Sequence, residues 1–282
     1  MPSIQQAKYR DQFIAAYERG AGNLRDTVTT ETIVRAGSLY FLVVGSGGRS
    51  AVTRGSNGLI PVGDNTQAQT PVTLAPAYDK QIMNGFDIFT AQGDQLEAMR
   101  VEGGNVLGRA MDDLIITTAY TGTVTLGSVG TMSKTVANRI STILRNADVG
   151  AADRGNIFCL LSAAAFNYME DITSFGNTQY STGTGGRMQD GIPQAMQWKY
   201  WMGINWGQHN GVAGKGTSSC TCVAYHRASI GHAIGPGSLD AEIDKVPGED
   251  ASYCLHKAYH GSSKLQNSGI VKFVHDDSGL SA

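Results

Sequence analysis

The segment 37–72 constrains the fold of this chain more than any other part. It opens with the strand-forming run LYFLVV at 39–44 and continues through short extended pieces separated by turn residues such as Asn57-Gly58. This pattern is typical of a β-hairpin with a long tip. The segment has little apolar content with which to pack on its own domain, and a structureless loop of this length is uncommon unless it has a function. The sequence therefore predicts an extended β-hairpin loop over 37–72 that contacts another surface.

The first 20 residues are predicted to form an exposed helix. Tyr9, Phe13 and Tyr17 recur every four residues within 1–20, which indicates an amphipathic helix that ends at Gly20. Three aromatic side chains on a short terminal helix need a surface to cover them, on this chain or on another.

The longest predicted helix covers residues 94–120. Asp94 followed by Glu97 resembles a capping box, and the apolar residues after them recur at helical spacing. Gly103 and Gly104 each weaken a helix by about 1 kcal/mol relative to alanine, so a kink is expected at this pair.

Shorter elements are predicted on both sides of the chain's midpoint, and no internal repeat is evident. They are a Gly/Thr-rich linker at 121–132, a second helix from Ser133, a buried strand at 157–161, a short helix through Phe166 and Met169, a mobile loop at 173–191, a strand at 199–206, alternating strand residues over 220–234, and a C-terminal hairpin formed by 253–259 and 269–275. This mixture of few helices and dispersed strands predicts an α+β fold.

The stretch Gly211 to Thr217 resembles a phosphate-binding loop but does not match its pattern. The position six residues before Lys215 is His209 instead of glycine, and Gly216 follows the lysine where serine or threonine is required. A flexible loop is the better interpretation. The other glycine-rich stretches do not match a dinucleotide-binding motif either.

Metal and catalytic chemistry have weak support. Cys220, Cys222 and His226 would share one face of a strand, but this spacing is not a standard zinc motif, and buried cysteines that act as small apolar groups are commoner. The chain has no nucleophile motif of a known hydrolase class. The adjacent carboxylates Asp112-Asp113 diverge on a helix, and Asp276-Asp277 is expected to be solvated. We therefore predict no catalytic, cofactor-binding or metal-binding residues, and no enzyme activity.

The composition suits a protein whose surface is largely covered by neighbours, and it would equally suit a loop-rich β protein. Only 16% of the 282 residues are charged, against about 25% in typical soluble proteins, and 36 are glycine. The net charge of −2 provides no overall basic surface for tight DNA binding. The longest apolar run, 157–166, is far shorter than the ~20 residues that span a bilayer. Four scattered cysteines do not form a disulfide framework.

Three stretches and the order of the elements carry a resemblance to a known family. The stretches are GRAMDDLII at 108–116, VAYHRASIGHA at 223–233 and SKLQNSGIVKF at 263–273. Together with the arm, the hairpin and the long helix, they make the chain resemble the major capsid proteins of tailed bacteriophages, which have the Hong Kong 97 coat fold. The resemblance covers nearly the whole chain.

This resemblance implies a division of the chain into the parts of that fold. They are the N-terminal arm at 1–36, the extended loop at 37–72, a peripheral domain with the spine helix at 73–132, an axial domain at 133–245, and a return to the peripheral domain, as a C-terminal hairpin, at 246–282. It also implies inter-subunit contacts by Tyr9, Phe13, Tyr17, Arg49 and Arg54.

The implied function is structural. Copies of the chain would assemble as hexamers and pentamers into the icosahedral head around the double-stranded DNA of a tailed phage. The virion would form in the bacterial cytoplasm with a separate scaffolding protein and a portal protein, without a membrane or sequence-specific DNA binding. Some relatives cross-link through a loop lysine, but 37–72 contains no lysine. A phage tail or baseplate protein and a cellular encapsulin-like shell protein remain alternatives.

Overall fold

The computed structural model describes residues 24–33, 37–46, 50–54, 58, 60, 65–86, 95–149, 154–176, 182–183, 198–237 and 241–280. Its strands are β1 (Thr29–Thr32), β2 (Ser38–Gly45), β3 (Thr66–Thr73), β4 (Ala75–Asn84), β5 (Val124–Gly130), β6 (Ile157–Leu161), β7 (Thr182–Gly183), β8 (Trp198–Trp201), β9 (Ile204–Gln208), β10 (Cys220–His226), β11 (Ile230–Ile234), β12 (Ala241–Lys245), β13 (Ala251–Lys264) and β14 (Ile270–His275). Its helices are α1 (Gln95–Tyr120), α2 (Lys134–Asn146), α3 (Ala163–Glu170) and α4 (Thr173–Gly176).

The strands form three sheets. A seven-stranded mixed sheet has the order β5-β14-β10-β6-β9-β8-β7, and most of the buried apolar side chains lie in the core around it. A five-stranded sheet has the order β1-β11-β13-β12, with β4 also paired to β13. The third sheet is the antiparallel pair β2-β3, as the sequence predicts for the extended loop.

The predicted C-terminal hairpin is wrong. Strand β13 pairs with β4, β11 and β12 in the five-stranded sheet, whereas β14 pairs with β10 and β5 in the seven-stranded sheet. Alternation of apolar residues identifies a strand but not its partner, so two consecutive strand patterns do not establish a hairpin. Strands β11 and β12, inside the predicted axial segment, also belong to the five-stranded sheet. The sheets therefore do not follow the predicted segment boundaries.

Two other segments differ from expectation. The linker predicted at 121–132 contains β5, which pairs with β14 in parallel. The single strand predicted at 199–206 is the hairpin β8-β9, and its turn residues Met202 and Gly203 have φ angles of 55° and 84°. Positive φ at both central residues is what a tight two-residue hairpin turn requires. The turn is not evident from the sequence, because it lies within an aromatic run and because methionine rarely adopts a positive φ angle.

The three predicted helices that fall within the described residues are confirmed, whereas the helix predicted within 1–20 lies outside them. Helix α1 spans Gln95–Tyr120 without interruption, and α2 begins after Ser133, whose Oγ accepts a hydrogen bond from the Val136 amide at 3.4 Å. Asp94, the expected capping residue of α1, lies outside the described residues. Glu97 forms an ion pair of 2.6 Å with Arg100 within the first turn.

The two glycines in α1 have different surroundings. Alanine at the two positions is therefore predicted to change the free energy of unfolding in opposite directions. A Cβ at Gly103 would lie 2.2 Å from Nδ1 of the buried His256, whereas a Cβ at Gly104 would meet nothing within 4 Å. We expect Gly103→Ala to lower the free energy of unfolding by about 2 kcal/mol through overpacking, and Gly104→Ala to raise it by up to about 1 kcal/mol through helix propensity.

Urea unfolding of the two variants and the parent measures this difference. The double variant Gly103→Ala/His256→Ala should recover part of the loss, since the alanine methyl then occupies space vacated by the imidazole. Equal effects of the two glycine substitutions would contradict the close approach of β13 to α1.

Candidate functional site: surfaces that the chain leaves uncovered

One face of the β2-β3 hairpin is apolar and exposed to solvent. Tyr40, Leu42 and Val44 alternate along β2, so they point to the same side, and they are 62%, 56% and 53% exposed. Gln69 and Gln67 lie opposite Leu42 and Val44 on β3. A row of three large apolar side chains outside any core is costly in water and typical of an interaction surface.

The other face of the hairpin is attached to the body at its base. Leu39 and Phe41 pack against a small core of Ile33, Val72 and Ala233. The expectation that the hairpin has little apolar content with which to pack on its own domain is wrong for its base. The attachment fixes the direction in which the hairpin leaves the five-stranded sheet, while its outer face remains uncovered.

A second uncovered surface lies on the five-stranded sheet. Tyr78 and Ile82 of β4 are 58% and 57% exposed, and the pairing register puts them beside Lys257 and Tyr253 of β13. The Lys80 ammonium lies 4.8 Å from the Tyr253 ring centroid, a cation–π contact that holds the lysine stem over this face. Aromatic and aliphatic groups flanked by charges are the composition expected at the core and rim of a protein interface.

The first described residues of the chain, from Leu24 onward, are anchored in the body. Leu24 is fully buried, and its amide donates to Oδ1 of Asp112, in α1, at 3.1 Å. Thr27 and Tyr225 share a buried hydrogen bond of 2.6 Å between their hydroxyl oxygens. Strand β1 then pairs with β11 in parallel. These contacts fix the position of Leu24, the first described residue.

Asp112 also belongs to a buried polar group beneath α1. Its Oδ2 lies 3.6 Å from Nε2 of His209, and both side chains are almost fully buried. His232 and His260, on the neighbouring strands β11 and β13, have ring centroids 6.3 Å apart and are likewise buried. Burial, reinforced by His260 and Arg25, lowers the pKa of His232 to about 4. Sequence spacing does not reveal this group, because its members come from separate elements.

Of the predicted contact residues, only Arg54 is among the described ones. Its side chain is exposed, and its Nε donates to the carbonyl oxygen of Gly58 at 2.9 Å. Tyr9, Phe13, Tyr17 and Arg49 lie outside the described residues. Sequence reasoning missed the exposed face of β2, although the alternation at 40, 42 and 44 carries that signal.

The loop that resembles a phosphate-binding loop binds a carboxylate of this chain. Oδ2 of Asp277 accepts from the Gly216 amide at 2.9 Å, and its Oδ1 lies 2.8 Å from Ser162 Oγ and 2.6 Å from His275 Nδ1. Burial alone would raise the pKa of Asp277, but these hydrogen bonds outweigh it and lower the pKa. Asp277 is only 1% exposed, so the expectation that it is solvated is wrong.

The cysteines are buried free thiols. Cys220 and Cys222 share one face of β10, whereas Nδ1 of His226 accepts from the Ala228 amide at 3.2 Å and caps a short 3-10 helix. Within the described ranges, no cluster of three or more His, Cys, Asp or Glu side chains is suited to hold a metal ion. The same ranges contain no helix with the length and apolar character needed to span a bilayer.

Comparison with solved structures defines the class of this fold. The capsid of the cyanophage P-SCSP1u aligns with a TM-score of 0.72 and 14% identity, over 96% of this chain and 93% of that one. A chain from Mycobacterium phage Che8 aligns with a TM-score of 0.67 and 12% identity, over 96% of this chain and 97% of that one. The capsid of a native GTA particle aligns with a TM-score of 0.68 and 11% identity, over 97% of this chain and 96% of that one. The fold is therefore the coat fold of phage capsids, and the predicted fold class is confirmed.

The family follows from the sequence itself. The model of the family described as phage capsid protein matches residues 2–277. This chain belongs to the phage capsid protein family; it is a structural major capsid protein and a component of the virion. No match was found among curated protein sequences.

Proposed function

We propose that this chain forms the icosahedral head of a tailed phage, arranged as hexamers and pentamers around double-stranded DNA. Its partners would be further copies of itself, a separate scaffolding protein and a portal protein, with assembly in the host cytoplasm. The protein has no catalytic role in this proposal. A tail or baseplate protein and an encapsulin-like shell are not favoured, because the family model is that of phage capsids.

The observation that carries the proposal is the pair of uncovered apolar surfaces. The hairpin exposes Tyr40, Leu42 and Val44, and the five-stranded sheet exposes Tyr78 and Ile82. In a closed shell each copy can cover the surfaces of the next, so contacts of modest strength repeat around the particle. We infer that the hairpin, the segment 1–23 and Arg54 contact adjacent subunits, and that Tyr9, Phe13, Tyr17 and Arg49 take part in these contacts.

A charge placed on the hairpin face tests this proposal. We expect Leu42→Glu/Val44→Glu to leave the subunit folded, since both positions are more than half exposed, and to reduce the yield of closed shells at least tenfold. The physical reason is that two carboxylates would lose their hydration when a neighbour covers them. Shell yield is measured by sucrose gradients and negative-stain electron microscopy after coexpression with the other head proteins.

Leu42→Met/Val44→Ile is the matched control, because it keeps the surface apolar and should assemble normally. Circular dichroism and urea unfolding verify that both variants fold. Normal shell yield from the glutamate variant would show that this face is not covered in the particle. Tubes instead of closed shells from the parent protein would favour the tail alternative.

A further inference from the structure

The exposed face of α2 has an unusual composition. The seven exposed residues of this helix carry either a positive charge or a neutral polar group: Lys134, Thr135, Asn138, Arg139, Thr142, Arg145 and Asn146. No acidic residue occurs within the helix, although acidic residues outnumber basic ones in the chain by 24 to 22. The opposite face of α2 is packed into the core by Val136, Ile140 and Leu144, so the basic face points away from the body.

Helix stability does not explain the position of Lys134, although Arg145 stands in the last turn, where the helix dipole favours a cation. Lys134 stands in the first turn, where the positive end of the helix dipole disfavours a cation by about 0.3–1 kcal/mol. Neither Lys134 nor Arg139 pairs with an acid in the part of the chain that the structure describes. Arg145 makes one long contact, with its Nη2 3.5 Å from the carbonyl oxygen of Met202. The cations are therefore available to an external anion.

We propose that this face of α2 binds the phosphate backbone of the DNA inside the shell, without reading its base sequence. Lysine, arginine, threonine and asparagine are the side chains that contact phosphates in protein–DNA complexes. Lys134 and Arg145 lie about 16 Å apart along the helix axis, a distance over which duplex DNA carries roughly ten phosphate charges. The identity of the ligand rests on the proposed function, while the anion-binding face rests on the composition of α2.

Binding of a labelled 30-base-pair DNA duplex of random sequence by unassembled full-length subunits tests the proposal. Each phosphate contact contributes about 0.9 to the slope of log affinity against log salt concentration. We expect Lys134→Gln/Arg145→Gln to reduce this slope by about 1.8, and the triple variant with Arg139→Gln by about 2.7. When the salt concentration rises from 50 to 200 mM, the factor by which the affinity falls should therefore be about 40 times smaller for the triple variant than for the parent.

The control is Lys215→Gln/Lys245→Gln, which removes two other exposed lysines and should leave the slope unchanged. In filled particles, formaldehyde cross-linking and mass spectrometry should attach DNA to the peptide that contains Lys134. Slopes equal to that of the parent, or no cross-link at Lys134, would overturn the proposal. Shells that fail to form from the triple variant while its DNA binding is normal would also overturn it, and would indicate that the face binds a protein.

Electron microscopy of the same preparations separates this outcome from failure of the proposed function. If the parent protein forms no shells, the proposed function fails whatever the salt slopes are. If shells form and the slopes do not change, only the assignment of α2 fails.

Discussion

Replacement of Asp112 by alanine is expected to lower the free energy of unfolding by about 4 kcal/mol. The carboxylate is fully buried, accepts the Leu24 amide at 3.1 Å and lies 3.6 Å from Nε2 of His209. Its removal leaves a buried amide without an acceptor, which costs about 1–3 kcal/mol, and removes the partner of a buried histidine. Because this contact anchors Leu24, we also expect the segment from Leu24 to Thr32 to lose protection.

Urea unfolding measures the first effect, and hydrogen exchange of the amides in 24–32 measures the second. Asp113→Ala is the matched control, since the neighbouring carboxylate is exposed and should change stability by no more than about 0.5 kcal/mol. If Asp112→Ala were as mild as Asp113→Ala, the anchoring of Leu24 by α1 would be wrong.

Stability should fall in mild acid because of His232. Its pKa is about 4 in the folded protein, against about 6.5 in an unfolded chain. Between these values the unfolded state binds the proton more readily, so the free energy of unfolding decreases as the pH falls from 6.5 towards 4. The difference of about 2.5 pH units corresponds to a loss of roughly 3 kcal/mol, complete below pH 4.

Urea titrations of the parent and of His232→Leu from pH 8.5 to pH 4 test this expectation. The variant should lose about 3 kcal/mol less than the parent over the acidic range. Between pH 7.5 and 8.5 the difference between the two proteins should be constant, because His232 is neutral in both states. Parallel curves down to pH 4 would mean that the His232 proton is bound equally well in both states. The lowered pKa of His260 should leave a smaller acid dependence in the variant.

Local pattern predicted the main elements of this fold well. The strand run at 39–44, the helical spacing of 94–120 and the serine before α2 each depend on interactions within a few residues, so they can be read directly from the chain. The family resemblance rested on three short stretches and the order of elements, and the family model over 2–277 agrees with it. The exposed face of β2 was also readable, since alternation alone places Tyr40, Leu42 and Val44 on one side.

Partners that are distant in sequence could not be predicted in this way. Strands β13 and β14 are consecutive, yet they lie in different sheets, because β13 pairs with β4 and β14 pairs with β10. The anchoring of Leu24 by Asp112 joins residues 88 positions apart, and the buried histidines come from several elements. No regular spacing of residues in the sequence predicts these contacts.

The sequence by itself determined the main helices, the strand run at 39–44, the α+β class and the capsid family, because periodicity, turn residues and short stretches are properties of neighbouring residues. Only the tertiary structure decided how adjacent, chemically identical residues differ. Gly103 admits His256 while Gly104 faces open space, and Asp277 is buried among hydrogen-bond donors while Asp276 is partly exposed. Neighbouring side chains point in different directions, so the element that packs against each one sets its burial, its hydrogen bonds and its role.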